Sequence, residues 1–369
     1  MTPTGLSSTF MTLKRLYKES QSISQSVRIE QHVISSIERI TLVSELSTSQ
    51  YGKSDEIFVY IDKCTHIFRF ILDNSNETLT PGIQIDIWVH ESLFNAHHSG
   101  ELFMWTRTMS RLIQRLSCVS QLQGFKMPPS KTHFVLVPVD QPREFPRSGQ
   151  LIQPVHINGG FTYLHGNRVF VVRKEELPKV CLHEWLHHMQ GDVSWEKEEL
   201  SRIYNLMSID TAGCSNNMVA CVTDIRPNEA VVEAWACMLH AMFVSLENKM
   251  DNLWESMLFQ ELSFARYQSH KLLKYQRKHY PRWIEGTHAF SYIILKCFIL
   301  WDTLIQTQHH HHGNKRDIQL LYEPQQLTSK FEQQWPLFLD YVQNKHKNNR
   351  ERSSPFSKQS LRMTVFGDF

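Results

Sequence analysis

Several features that would assign a specialised class are missing from this chain. Its seven cysteines, at 64, 118, 181, 214, 221, 237 and 297, include no Cys-x-x-Cys pair and are odd in number. That argues against a disulfide framework and for buried thiols in a reducing compartment. Charge of one sign is also missing: the net charge of +2 gives no reason to expect a nucleic acid or an acidic membrane surface as partner. The apolar stretch 290–305 contains Lys296 and Asp302 and is too short to cross a bilayer, so no membrane span is expected. The start of the chain carries Lys14, Arg15 and Lys18 after a Ser/Thr-rich segment and lacks a hydrophobic signal core. Glycine and proline, 14 each, are scattered without a repeat. An intracellular, cytoplasmic protein is the expectation, in which the sequon at Asn76 would go unused. With 369 residues, 41% of them hydrophobic, the chain can bury a real core as one large domain or two modest lobes.

The hydrophobic pattern suggests four regions. Residues 1–50 are polar, Ser-rich and helix-leaning and read as a frayed N-terminal arm packed on the domain. Residues 51–192 read as an α/β lobe, with strands at 57–62, 67–72, 84–89 and 133–139 and a helix at 101–118 whose Leu102, Trp105, Met109, Leu112 and Leu116 follow helical spacing. A hairpin is expected where Gly159–Tyr163 and Arg168–Val172 flank His165-Gly166-Asn167, followed by a helix at 177–190. Residues 193–344 read as a helical lobe, with His309–His312 in a low-complexity loop. Residues 345–369, with Lys345, Lys347, Arg350 and Arg352, read as a disordered basic tail. The fold class is α+β, a mixed sheet followed by helices.

The chemistry concentrates in His183-Glu184-Trp185-Leu186-His187. On a helix, residues four apart share one face, so both imidazoles can aim at one ion. Glu184, beside the first of them, can take a proton from a water. Pro178 near the start of this helix and Gly191 past its end fit a helix boundary. Val180, Leu182, Trp185, Leu186 and Met189 predict that it is buried, and buried histidines need partners that a metal supplies. His188 points about 100° away from His187 and reads as supporting or structural.

Catalytic zinc usually takes three protein ligands and leaves one position open. After His187 the chain offers Pro227-Asn228-Glu229-Ala230-Val231-Val232-Glu233, with two carboxylates again four apart on an apolar helix that starts at a proline. One can ligate while the other accepts a hydrogen bond from the far nitrogen of a ligand histidine. Ala230, Ala234 and Ala236 let this helix approach the first closely. A metzincin pattern does not fit, because its glycine and third histidine would fall on Gln190 and Val193.

Over residues 155–300 the chain resembles the gluzincins, specifically the thermolysin type. Asn228–Glu233 is similar to that family's Asn-Glu-x-x-x-Asp helix with Glu in place of Asp, and Gly286–Ile294 is similar to its Gly-x-His-x-x-Ser-x-Ile-Ile segment. The resemblance implies a two-lobed zincin-like fold with the cleft between the lobes. It implies one Zn²⁺ per chain held by His183, His187 and Glu229, with Glu233 orienting a ligand histidine. Glu184 would be the general base and His288 a hydrogen-bond donor to the tetrahedral intermediate. Tyr292 and His240 are further candidates for an assisting role. The expected function is a zinc metallopeptidase acting on a peptide or protein substrate held by strand addition. The competing readings are a zincin fold used as a binding module without turnover, and a metal hydrolase of non-peptide amides or esters.

Overall fold

The computed structural model describes residues 4–21, 26–52, 54–72, 82–94, 99–122, 131–147, 149–163, 166–189, 192, 194–208, 225–280, 283–305, 324–343 and 360–366. The protein is α+β, built on a mixed six-stranded sheet of order β1-β2-β3-β4-β6-β5. The strands are β1 (Arg28–Val33), β2 (His66–Leu72), β3 (Gly82–Val89), β4 (Lys131–Leu136), β5 (Gly160–Thr162) and β6 (Arg168–Val171). The pairs β3·β4 and β4·β6 are parallel, and the other three are antiparallel. Alternation within the strands sends side chains to two cores. Ile83, Ile85 and Ile87 of β3 join the large core, while Trp88 joins a smaller core with Val135 and Phe170.

Two short helices, α2 (Ser36–Ser47) and α3 (Asp55–Lys63), cover the smaller core through Leu42, Leu46, Ile57 and Ile61. The strand expected at 57–62 is therefore a helix. Its β-branched and aromatic residues favour a strand locally, but Ser54 caps the helix by accepting from Ile57 N, and Asp55 and Glu56 occupy the first turn. Ile57 and Ile61 face inward one turn apart, leaving Val59 exposed.

The other face of the sheet carries α1 (Thr4–Glu19), α4 (Ser99–Ser120) and the fully buried α6 (Leu177–His188). Behind α6 come α8 (Pro227–Glu247), α9 (Trp254–His279), a π-helical turn at Phe290–Leu295, α10 (Lys296–Ile305) and α11 (Pro324–Gln343). The short α5 (Pro154–Ile157) precedes β5, and α7 (Lys197–Ser208) packs on α11. One large apolar core runs from Leu6 in α1 to Met363, across both the sheet and the helices. By length and hydropathy α8 would pass for a membrane helix, but 89% of its most apolar window is buried inside the fold.

Both expected appendages need correction. The N-terminal arm does carry a helix packed on the domain, but it is not frayed: Leu6, Phe10, Leu13 and Leu16 of α1 are buried, Phe10 stacks on Trp254 at 4.7 Å, and β1 completes the sheet beside β2. The expected disordered tail also fails at 360–366, where Leu361 and Met363 lie in the large core and Leu361 N donates to Arg143 O. Basic residues dominate the composition there and mask the short apolar run that follows them. Residues 344–359, like Asn76 and His309–His312, lie outside the described residues. The five described cysteines are buried free thiols.

Glu285 gives the fold a pH dependence. It lies just before the π-helical turn, where it accepts from Phe290 N at 2.9 Å. Burial pushes its carboxyl up to about 8, against the pull of that N–H and of Trp283. A folded value above the unfolded one means that folding binds the proton. This stabilisation is complete below the unfolded pKa of about 4.3 and is lost as pH rises through about 8. Glu285→Gln is therefore expected to flatten that loss, a difference of a few kcal/mol between acid and alkaline solution. Melting curves at pH 5 and pH 9 check it, and parallel behaviour of variant and wild type would contradict it.

Candidate metal centre

Two helices build the site. All twelve residues of α6 are buried, because the helix is wedged between the sheet and α8. Buried Ala230 and Ala234 keep the α8 side of that contact thin. Helical spacing places His183 and His187 one turn apart on α6, and Glu229 and Glu233 one turn apart on α8. The Nε2 atoms of the two histidines are 3.1 Å apart, and Glu229 Oε2 lies 3.2 Å from His187 Nε2 and 3.3 Å from His183 Nε2.

Both imidazoles are held from behind by carboxylates. His183 Nδ1 lies 2.9 Å from Glu233 Oε2, and His187 Nδ1 lies 3.0 Å from both oxygens of Asp192. In the neutral form that carries its proton on Nδ1, each imidazole would present an Nε2 lone pair to the same point as Glu229 Oε2. Three basic atoms converging without a proton between them repel one another unless a cation sits among them. The triangle also has the right size: bonds of about 2.0–2.1 Å in a tetrahedral zinc site imply ligand–ligand edges of about 3.3 Å. His183, His187 and Glu229 therefore fit a divalent cation.

Comparison with known family models, curated proteins and solved structures finds no match to this chain.

The open side of the triangle faces a cavity of about 420 Å³ lined by Tyr51, Asn158, Gly160, Phe161, Thr162, Glu184, Trp195, Arg226 and Tyr292 as well as by the three ligating side chains. Burial pushes the Glu184 carboxyl up to about 7, with His183 and His187 opposing and Glu229 adding to the rise. It is thus poised to exchange a proton near neutrality. Burial would also raise Glu229, but in the metal-free site it holds the adjacent His187 and His183 toward their charged forms, and those imidazolium charges hold it well below the usual carboxylate range. Edge strand β5 runs beside Glu184. A Cβ on Gly160 would come within 2.7 Å of Phe170 O and 3.2 Å of Glu184 Cγ, so only glycine allows the strand to lie this close to α6.

The other candidates divide. Tyr292 lines the cavity and donates its hydroxyl to Glu229 Oε2 at 2.9 Å; burial, together with Glu229 and Glu184, raises its pKa well above the ordinary value, so it remains a neutral donor. His288 does not line the cavity. It is 7% exposed, and its Nε2 lies 3.3 Å from the hydroxyl of Tyr51, which stands between it and the open space. His240 is not part of the site: buried on α8, it meets Arg115 Nη1 at 3.0 Å. His188 is likewise turned away, bonding Thr132 Oγ1 at 2.8 Å and stacking on Trp185.

Sequence reasoning missed Tyr51, Asp192 and Lys179. Tyr51 and Asp192 sit outside regular elements, where no periodicity points to them. Lys179 did carry a signal, as a lysine one turn before His183 on an otherwise apolar helix; its Nζ lies 2.6 Å from Glu233 Oε1. Asn228, in the ligand motif, accepts from Trp195 Nε1 at 2.8 Å and so ties the segment before α7 to the start of α8.

Proposed function

We propose that this protein is a zinc-dependent peptidase of the gluzincin kind. The observation that carries the reading is the triangle of His183 Nε2, His187 Nε2 and Glu229 Oε2 with Glu184 beside it in one cavity. The sheet with α6 is read as one lobe of a zincin-like plan and α8 with the later helices as the other. His183, His187 and Glu229 would hold one Zn²⁺, which when bound supplies Lewis acidity and lowers the pKa of a coordinated water toward 7.

The protein's own groups perform the remaining steps. The outer edge of β5 offers backbone N–H and C=O groups to an extended peptide and lays the scissile bond beside Glu184. Glu184 accepts a proton from the attacking water and delivers it to the leaving amine. Tyr292 gives its one hydroxyl proton to Glu229, so the hydroxyl of Tyr51 is the neutral donor available to the carbonyl oxygen as its charge grows, with His288 orienting it. The role that the resemblance implies for His288 thus passes to the tyrosine in front of it.

The test is metal dependence on a broad substrate set. Dialysis against a chelator should stop cleavage of a mixed peptide library, and one equivalent of Zn²⁺ should restore it. Cleavage that survives chelation, or a zinc-replete chain that cuts no peptide, would contradict the reading.

A further inference from the structure

Residues 360–366 return to the interior and pack against α6, α8, α9 and α10. Met363 and Thr364 are almost fully buried, and their backbone N–H groups donate to Glu176 Oε1 at 2.8 and 2.9 Å. The Met363 carbonyl accepts from Lys296 Nζ and lies 3.6 Å from Cys237 Sγ, while Met363 Sδ lies 3.9 Å from Lys179 Nζ. Thr364 Oγ1 donates to Glu261 Oε2 at 2.7 Å.

These contacts converge on one carboxylate. Glu233 Oε1 is 2.6 Å from Lys179 Nζ and 3.6 Å from Cys237 Sγ, and its other oxygen is the one beside His183 Nδ1. Lys179 also lies 3.8 Å from Glu176 Oε2. The path from the segment to a ligand imidazole is therefore short: Met363 and Glu176 to Lys179, Lys179 to Glu233, Glu233 to His183. Every side chain on that path is buried, so no solvent loosens it.

A buried carboxylate that spends one oxygen on an imidazole needs a cation at the other. Lys179 supplies that cation, but a lysine has four rotatable bonds and needs fixing itself. Glu176 Oε2 and the Met363 thioether lie against it at 3.8 and 3.9 Å and limit where it can go. Glu176 adopts φ 60°, ψ 24°, a left-handed conformation that is unfavourable for a non-glycine residue and persists where surrounding contacts impose it. The two N–H groups of the segment and the Arg143 guanidinium 3.1 Å away are such contacts.

We propose that segment 360–366 is a positioning element of the metal centre: through Glu176 and Lys179 it holds Glu233 where Glu233 orients the His183 imidazole. This rests on the zinc-site reading above. It adds that an element far along the chain, which touches neither metal nor substrate, sets how well the site holds its ion.

The experiment uses the full chain and reads metal binding rather than cleavage. Zn²⁺ and Co²⁺ affinities come from chelator competition, the Co²⁺ visible band reports ligand geometry, and circular dichroism of the metal-free chain reports folding. Lys179→Met and Thr364→Pro, the latter deleting one N–H that Glu176 accepts, should each weaken binding by roughly 10–100-fold and alter the Co²⁺ band. Glu176→Gln, which keeps an acceptor but removes the charge facing Lys179, should shift both in the same direction and keeps the test decisive if a harsher variant fails to fold. Wild-type affinity and an unchanged band in folded Glu176→Gln would overturn the proposal. A wild-type chain that binds neither ion would overturn the reading of the site itself.

Discussion

Glu184→Gln should leave zinc bound at one per chain and abolish peptide cleavage, by roughly 10²–10⁴-fold or more. Glutamine has nearly the size and shape of glutamate, so it fits against Gly160 and preserves the close contact of β5 with α6. It cannot accept a proton and pass it on. The wild-type carboxyl, 5% exposed, lines the same cavity as His183, His187 and Glu229, where it can make both transfers. Zinc analysis beside a cleavage assay separates the two effects. Turnover retained at full zinc content would show that another group acts as the base.

The second large effect distinguishes the two carboxylates of α8. Glu229→Ala removes an atom 3.2–3.3 Å from both ligand nitrogens and should strip zinc from the site. Glu233→Ala removes only the group behind His183, and the expected loss of affinity is about 10–100-fold. The order reverses for stability. Glu233 is 1% exposed and is the hydrogen-bonded partner of buried Lys179, so its removal leaves that ammonium with only the more distant Glu176, 3.8 Å away, and costs about 3–5 kcal/mol. Glu229 borders the open cavity and carries no such burden. Chelator competition and thermal melts of the two variants check both orders together. A Glu233→Ala protein that loses zinc more completely than Glu229→Ala would mean that ligand and support had been exchanged.

The parts of this account legible in the sequence are those that helical periodicity turns into geometry. His183 and His187, and Glu229 and Glu233, are four apart on helices bounded by prolines, so their shared faces follow from spacing. The alanines of α8 made the close approach of the helices foreseeable. The strands at 66–72, 82–89 and 131–136 and the hairpin around 160–171 followed from alternation and turn residues. Contacts set by chain return did not. Asp192 reaches His187 from beyond the helix end, Tyr51 reaches the cavity from the segment between α2 and α3, and Met363 arrives from 360–366. Those placements depend on tertiary packing rather than on any local pattern. The helix at 55–63 misled for a related reason: the Ser54 cap and the acidic first turn outweighed strand-favouring side chains.

The central claim is that His183, His187 and Glu229 grip one cation. X-ray absorption at the zinc edge of the purified, zinc-loaded protein tests it directly. Two imidazole nitrogens and one or two oxygens at about 2.0–2.2 Å are predicted, with one nitrogen lost in His187→Ala. A spectrum dominated by sulfur ligands, or one unchanged by His187→Ala, would place the metal elsewhere and contradict the account.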